Sequence, residues 1–188
     1  MPLRLTALLL LGVLTACAAP ATQPPPPTAT VNPAYNPTDA AWLELMIPMD
    51  QQFLQILDLA PTHSTNPAVR RLAAQLAPGH RTELQQLVAL RTQAGLPTSN
   101  LHEGHDMPGM MTADEVVAIG NLRGAAFDKV LASEIQDHLS QSALVTRSVK
   151  AAGHSPALKT LATRIEKART QQLVFVRTSG VGHQTPLS

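Results

Sequence analysis

Two histidines and three methionines crowd into one short stretch near the middle of the chain, Leu101-His102-Glu103-Gly104-His105-Asp106-Met107-Pro108-Gly109-Met110-Met111. Imidazole and thioether together suit copper, and thioether favours the cuprous ion. Gly104, Pro108 and Gly109 keep the segment out of a regular helix, so its side chains are free to fold back around one ion. The spacing therefore points to His102, His105, Met107, Met110 and Met111 as a copper-binding set. The competing reading is a plain inter-helix loop.

Other chemistries find less support. The net charge is +1 and no Lys/Arg cluster marks a nucleic-acid surface. No nucleophile motif and no Gly-rich phosphate loop is recognisable, so the sequence gives no reason to expect an enzyme. Di-iron oxidase chemistry needs carboxylates from each helix and two Glu-x-x-His pairs. The chain has no Glu-x-x-His; His80-x-x-Glu83 runs in reverse order. His63, His154 and His183 fall at helix ends or in the tail, where a solvated surface is expected.

The elements that must position these residues read as helices. Aromatics are 3% of the chain, Ala and Leu are plentiful, and β-branched residues never alternate over a strand length. A first helix is expected over about residues 39–60, with Thr38 as N-cap and the apolar row Trp42, Leu45, Met46, Met49, Phe53, Ile56 and Ala60. Pro48 inside it should kink it. Asn66-Pro67 starts a second helix, which Gly95 and Pro97 end and Pro78-Gly79 should bend or interrupt. Thr112-Ala113-Asp114-Glu115 is a capping box for a short helix that breaks over 121–124. A further helix runs to Ala152 with the row Phe127, Leu131, Ile135, His138, Ser142, Val145 and Val149. Ser155-Pro156 starts the last, with Leu158, Leu161, Ala162, Ile165, Ala168, Leu173 and Val176.

The two halves repeat. Asn66-Pro67-Ala68-Val69-Arg70-Arg71-Leu72-Ala73 matches Ser155-Pro156-Ala157-Leu158-Lys159-Thr160-Leu161-Ala162, and from Pro67 to Pro156 the offset is 89 residues. The same offset pairs Met49 with His138. Two helix hairpins joined by a crossover make an all-α four-helix bundle, and the His/Met stretch is the crossover. Met49, His80, Glu83 and His138 fall on inward faces, which makes them a second candidate metal set. Against that, methionine fills irregular cores, and a His80–Glu83 pair offsets its own burial.

The N-terminus gives an address. Arg4, an apolar run from Leu5 to Leu14, and Leu14-Thr15-Ala16-Cys17 read as a signal peptide over residues 1–17. Its last four residues resemble a bacterial lipobox, with Cys17 the lipidation site and the only cysteine. Residues 18–37 hold seven of the sixteen prolines and read as an extended tether. The bundle domain is expected over 38–180 and a frayed tail over 181–188. The protein is thus expected outside the cytoplasm, in the cell envelope or periplasm, held to the membrane by its lipid.

Three stretches resemble the bacterial ferritin-like "domain of unknown function 305" (DUF305) family. Met107-Pro108-Gly109-Met110-Met111-Thr112 followed by Phe127-Asp128 is similar to its central signature. Met46-Ile47-Pro48-Met49-Asp50-Gln51 looks like its M-I-P-H-H-Q helix, and Leu72-Ala73 with His80-x-x-Glu83-Leu84 like its L-A…Q-x-x-E-I helix. The resemblance spans about residues 41–177 and implies a ferritin-like four-helix bundle of a secreted or lipid-anchored protein, with copper handling among the family's roles. The chain departs from the pattern where Met49-Asp50 and His138-Leu139 replace the paired histidines, His80 replaces a Gln, and Arg169 and Gln172 replace the second Gln and Glu. The expected function is copper binding or buffering by a lipid-anchored bundle. The alternative is a metal-free structural or interaction module of the envelope, with an unidentified protein partner.

Overall fold

In a computed structural model, residues 32–179 are described. The signal peptide, its lipobox, most of the tether and the tail beyond Ser179 lie outside them. Four long helices and one short one follow in order: α1 (Pro37–His63), α2 (Pro67–Ala94), α3 (Ala113–Gly120), α4 (Gly124–Ala152) and α5 (Pro156–Thr178). No strand is present among the described residues, and no helix there is long and apolar enough to cross a membrane. α1 packs on α2, α4 on α5, α1 on α4, and α2 on α5.

The starts of the helices follow from local chemistry. Asn66 and Ser155 cap α2 and α5 with proline at the first turn, and Thr112 with Glu115 forms a reciprocal capping box on α3. One of the expected caps needs correcting. The cap of α1 is Asn36, not Thr38, with Pro37 in the first turn. Described residues at the end of the expected tether also pack on the bundle. Asn32 donates its backbone N–H to the Ala94 carbonyl at 2.9 Å, and Tyr35 is buried. Helices α1 and α2 run on through Pro48 and Pro78 without interruption. Helical backbone continues there because each proline removes only one ladder hydrogen bond, while the apolar rows on either side stay packed.

Asp39 ties the two hairpins together. It is fully buried, and its carboxylate accepts from the backbone N–H of Asn36 (2.9 Å), His154 (3.0 Å) and Ser155 (3.0 Å). One side chain thus satisfies the orphan donors at the start of α1 and in the α4–α5 turn. Asn36 adds a bond from its side-chain amide to the Ala152 carbonyl at 2.8 Å. Asp39→Ala should lower stability by about 2–3 kcal/mol in chemical denaturation, because several buried N–H groups lose their acceptor. A loss under about 0.5 kcal/mol would show that water replaces the carboxylate at no cost.

The apolar interior has two parts. One gathers Phe53, Ile56, Leu57, Leu72, Leu76, Met111, Phe127, Leu131 and Ile135. The other gathers Trp42, Leu43, Met46, Met49, Leu87, Met110, Val149, Leu161 and Ile165. Where they meet, all four long helices turn buried polar side chains inward.

Candidate metal centre in the bundle interior

The polar layer consists of Asp50 from α1, His80 and Glu83 from α2, His138 and Ser142 from α4, and Arg169 from α5. Asp50, His80, Ser142 and Arg169 are fully buried, His138 is 1% exposed and Glu83 8%. Helical spacing explains the convergence: Met46, Asp50, Phe53 and Leu57 lie on one stripe, and so do Ile165, Arg169 and Val176.

Arg169 organises the layer. Its guanidinium donates to Glu83 Oε1 at 2.5 Å, to Ser142 Oγ at 2.7 Å, to Gln172 Oε1 at 3.3 Å and to Asp50 Oδ1 at 3.4 Å. Two carboxylates and one guanidinium occupy the same dry space. Burial pushes Glu83 up to about 8 and Asp50 up to about 6, with the Arg169 charge acting in the opposite direction on both. Burial, and then the Arg169 charge, hold His80 and His138 well below the ordinary histidine range, so both rings are neutral at pH 7.

The histidines have spare ligating capacity. His80 bonds the Leu76 carbonyl through Nδ1 at 3.0 Å, which leaves Nε2 buried without a partner among the described residues. Neither ring nitrogen of His138 makes a well-formed hydrogen bond; Nε2 lies 3.4 Å from Asp50 Oδ1. Asp50 Oδ2 is also unpartnered. One ligand atom from each of Asp50, His80 and His138 falls within 4.8 Å of the others. Phe53 holds the rings in place, stacking on His138 (centroids 3.9 Å apart, planes at 7°) and meeting His80 edge-on at 4.8 Å. Orphaned nitrogens are costly in a dry core, and two imidazoles with a carboxylate are a common transition-metal donor set.

A groove of about 140 Å³ between α2 and α5, lined in part by Gly79, Glu83, Ile165 and Ala168, brings solvent to the edge of the layer. The crossover approaches from the α4 side. Gly109, at φ +75°, lies so close to α4 that an added Cβ would sit 2.6 Å from Gln141 Cβ, and its carbonyl weakly favours the charged form of His138.

The sequence-predicted residues separate accordingly. His80 and His138 come together in the layer, with Glu83 turned to Arg169. Met49, their expected companion, packs in the apolar cluster with Met46 and Trp42. In the crossover, His102 and His105 keep their rings 6.1 Å apart at the surface, with His105 exposed, and Met107 is half-buried. Met110 and Met111 are 3% and 5% exposed, and each packs into a different apolar cluster. His63, expected at the surface, is instead buried, with Nε2 at 3.0 Å from the Gly120 carbonyl and its ring beside Phe127.

Asp50 and Arg169 were not among the residues singled out for chemistry. Both had a signal: Asp50 stands at one of the paired-histidine positions, and Arg169 is the 89-residue counterpart of His80. Glu83 and Gln172 are counterparts too, and both touch Arg169.

An all-α bundle of two helix hairpins around a buried polar layer defines the class of protein. The chain belongs to the DUF305 family, whose domain of unknown function matches residues 39–178. Solved structures share the fold. A DUF305 protein from Streptomyces coelicolor, described as a candidate secreted protein, superposes with a TM-score of 0.67 at 18% identity, covering 80% of this chain and 98% of that one. A DUF305 fragment from Deinococcus radiodurans gives 0.66 at 17%, covering 77% and 95%. CopM in its Cu(I)-bound form gives 0.63 at 16%, covering 77% and 96%. No curated protein sequence matches the chain.

Proposed function

We propose that this is an extracytoplasmic protein, lipid-anchored through Cys17, that binds or buffers copper. The interior set Asp50, His80 and His138 holds the ion, and the surface groups His102, His105 and Met107 of the crossover make first contact with it. The observation that carries this reading is the pair of buried, neutral imidazoles with unpartnered nitrogens facing Asp50. CopM, a relative in fold, is Cu(I)-bound, and the S. coelicolor relative is a candidate secreted protein; both support the reading without supplying residues. Met110 and Met111 fill the core, so the crossover offers one accessible thioether rather than three.

Anaerobic titration of Cu(I) against a competing chelator tests the assignment. Replacing His80 and His138 together by Leu should weaken binding by about a hundredfold or more, since outer-shell changes alone cost up to that much. Replacing His102, His105 and Met107 should slow uptake and leave the equilibrium affinity near that of the parent. The reverse pattern assigns the site to the crossover. If neither set of changes matters, the layer is a structural device that fixes helix register, a use the Arg169 network also suits.

A further inference from the structure

The proposed metal centre contains a fixed positive charge that its donor atoms do not require. Asp50 Oδ1 is shared between His138 Nε2 and the Arg169 guanidinium, each at 3.4 Å, and Glu83 Oε1 faces the same guanidinium nitrogen at 2.5 Å. Arg169 is fully buried and its guanidinium stays charged. A cation entering the layer displaces the carboxyl protons that burial favours in its absence, and with both carboxylates then ionised the side chains around it carry a net charge of about minus one. One added monovalent cation brings the layer to neutrality. A divalent cation leaves an uncompensated positive charge in a medium where unlike and like charges act strongly over a few ångströms.

Resting on the interior reading above, we propose that Arg169 is the specificity-determining residue of the centre, and that its charge makes the centre select a monovalent soft cation over divalent ions. Donor chemistry alone does not make that choice, because imidazole and carboxylate suit Zn(II) and Cu(II) as well. Arg169 stands at the position equivalent to His80, so a potential ligand from the second half is replaced by a resident cation. Glu83 is then a charge-balancing residue, not a ligand. Gln172 and Ser142 hold the guanidinium in place, at 3.3 Å and 2.7 Å.

The test uses Ag(I), an air-stable monovalent probe, and Zn(II). The background carries His102→Gln, His105→Gln and Met107→Leu, so that the exposed loop adds no site. The parent should prefer Ag(I). Arg169→Gln makes the layer more negative and should tighten Zn(II) by at least about tenfold relative to Ag(I). Arg169→Lys keeps the charge and should keep the parent's preference. Glu83→Gln keeps that position neutral when the ion is loaded and should weaken Ag(I) by at least about tenfold, although Glu83 is not a ligand. The double change Arg169→Gln with Glu83→Gln restores the balance and should restore preference for Ag(I); with no buried ion pair left to break, it serves if Arg169→Gln alone does not fold. If the parent binds Ag(I) through His80 and His138 but these variants keep its selectivity, the role given to Arg169 is overturned alone. If the parent binds neither ion, or binds Ag(I) equally after His80→Leu and His138→Leu, the interior metal reading falls and this inference with it.

Discussion

Arg169→Leu should cost the metal-free protein about 3–5 kcal/mol at pH 7, the usual loss when one partner of a buried ion pair is removed. Asp50, at 0% exposure, and Glu83, at 8%, would face an apolar side chain, and Ser142 would lose the donor it has at 2.7 Å. The loss should depend on pH. A carboxyl with a folded-state pKa above its unfolded value binds its proton more tightly when folded. Its contribution is fully present below the unfolded pKa and is lost as pH rises through the folded one. Asp50 and Glu83 already lie at about 6 and about 8, above their ordinary 3.8 and 4.5, and Arg169 is the largest influence pulling both down. Without it both move further up. The gap between variant and wild type in chemical denaturation should therefore narrow from pH 8 towards pH 5, where the carboxyls take up protons. Adding Asp50→Asn and Glu83→Gln to Arg169→Leu should recover much of the loss. A penalty under about 1 kcal/mol that is flat with pH would mean that the guanidinium is not the counter-charge of this layer.

The layer shows which parts of the molecule were legible in the sequence. Helix starts were, because caps are local: Asn66-Pro67, Ser155-Pro156 and Thr112 with Glu115 act within a few residues. Thr38 and Asn36 are both good cap types, and what favours Asn36 as the start of α1 is its bond to Ala152, 116 positions away. Inward His80 and His138 were legible from helical spacing. Asp50 and Arg169 lie on the same stripes, but a charged residue in an apolar row reads as a stripe edge until its partner is known. Their partners stand far off in the chain: Arg169 meets Asp50 at a separation of 119 and Glu83 at 86. The methionines of the crossover show the converse. Sulfur close to histidine suggested soft-metal chemistry for all three, yet thioethers also pack well in cores. Which of these uses Met110 and Met111 serve depends on how Gly109 seats the crossover against α4, a contact that spacing along the chain does not encode.

Phe53→Ala should also cost about 3–5 kcal/mol, as truncation of a fully buried Phe leaves a cavity that the bundle only partly closes. Here the cavity opens beside two neutral imidazoles, since Phe53 stacks on His138 and meets His80 edge-on. Water entering it gains polar partners in the unpartnered ring nitrogens, so the site is able to hold water where an apolar cavity would stay dry. Burial is the first cause holding His138 well below its ordinary 6.5, so hydration should move its titration upward when followed by NMR of the imidazole protons with chelator present. The sign of the stability change follows. A histidine with a depressed folded pKa takes up its proton more readily when unfolded, so this ring's contribution to wild-type stability declines as pH falls below 6.5. That acid-side slope should be shallower in Phe53→Ala. Phe53→Leu keeps most of the apolar volume and removes only the ring contacts, so its cost should be nearer 1 kcal/mol, roughly the worth of an aromatic pair. It should also leave His138 low. A Phe53→Ala protein that is destabilised but retains the wild-type His138 titration would mean that the Arg169 charge, not the dry wall supplied by Phe53, keeps the imidazole neutral.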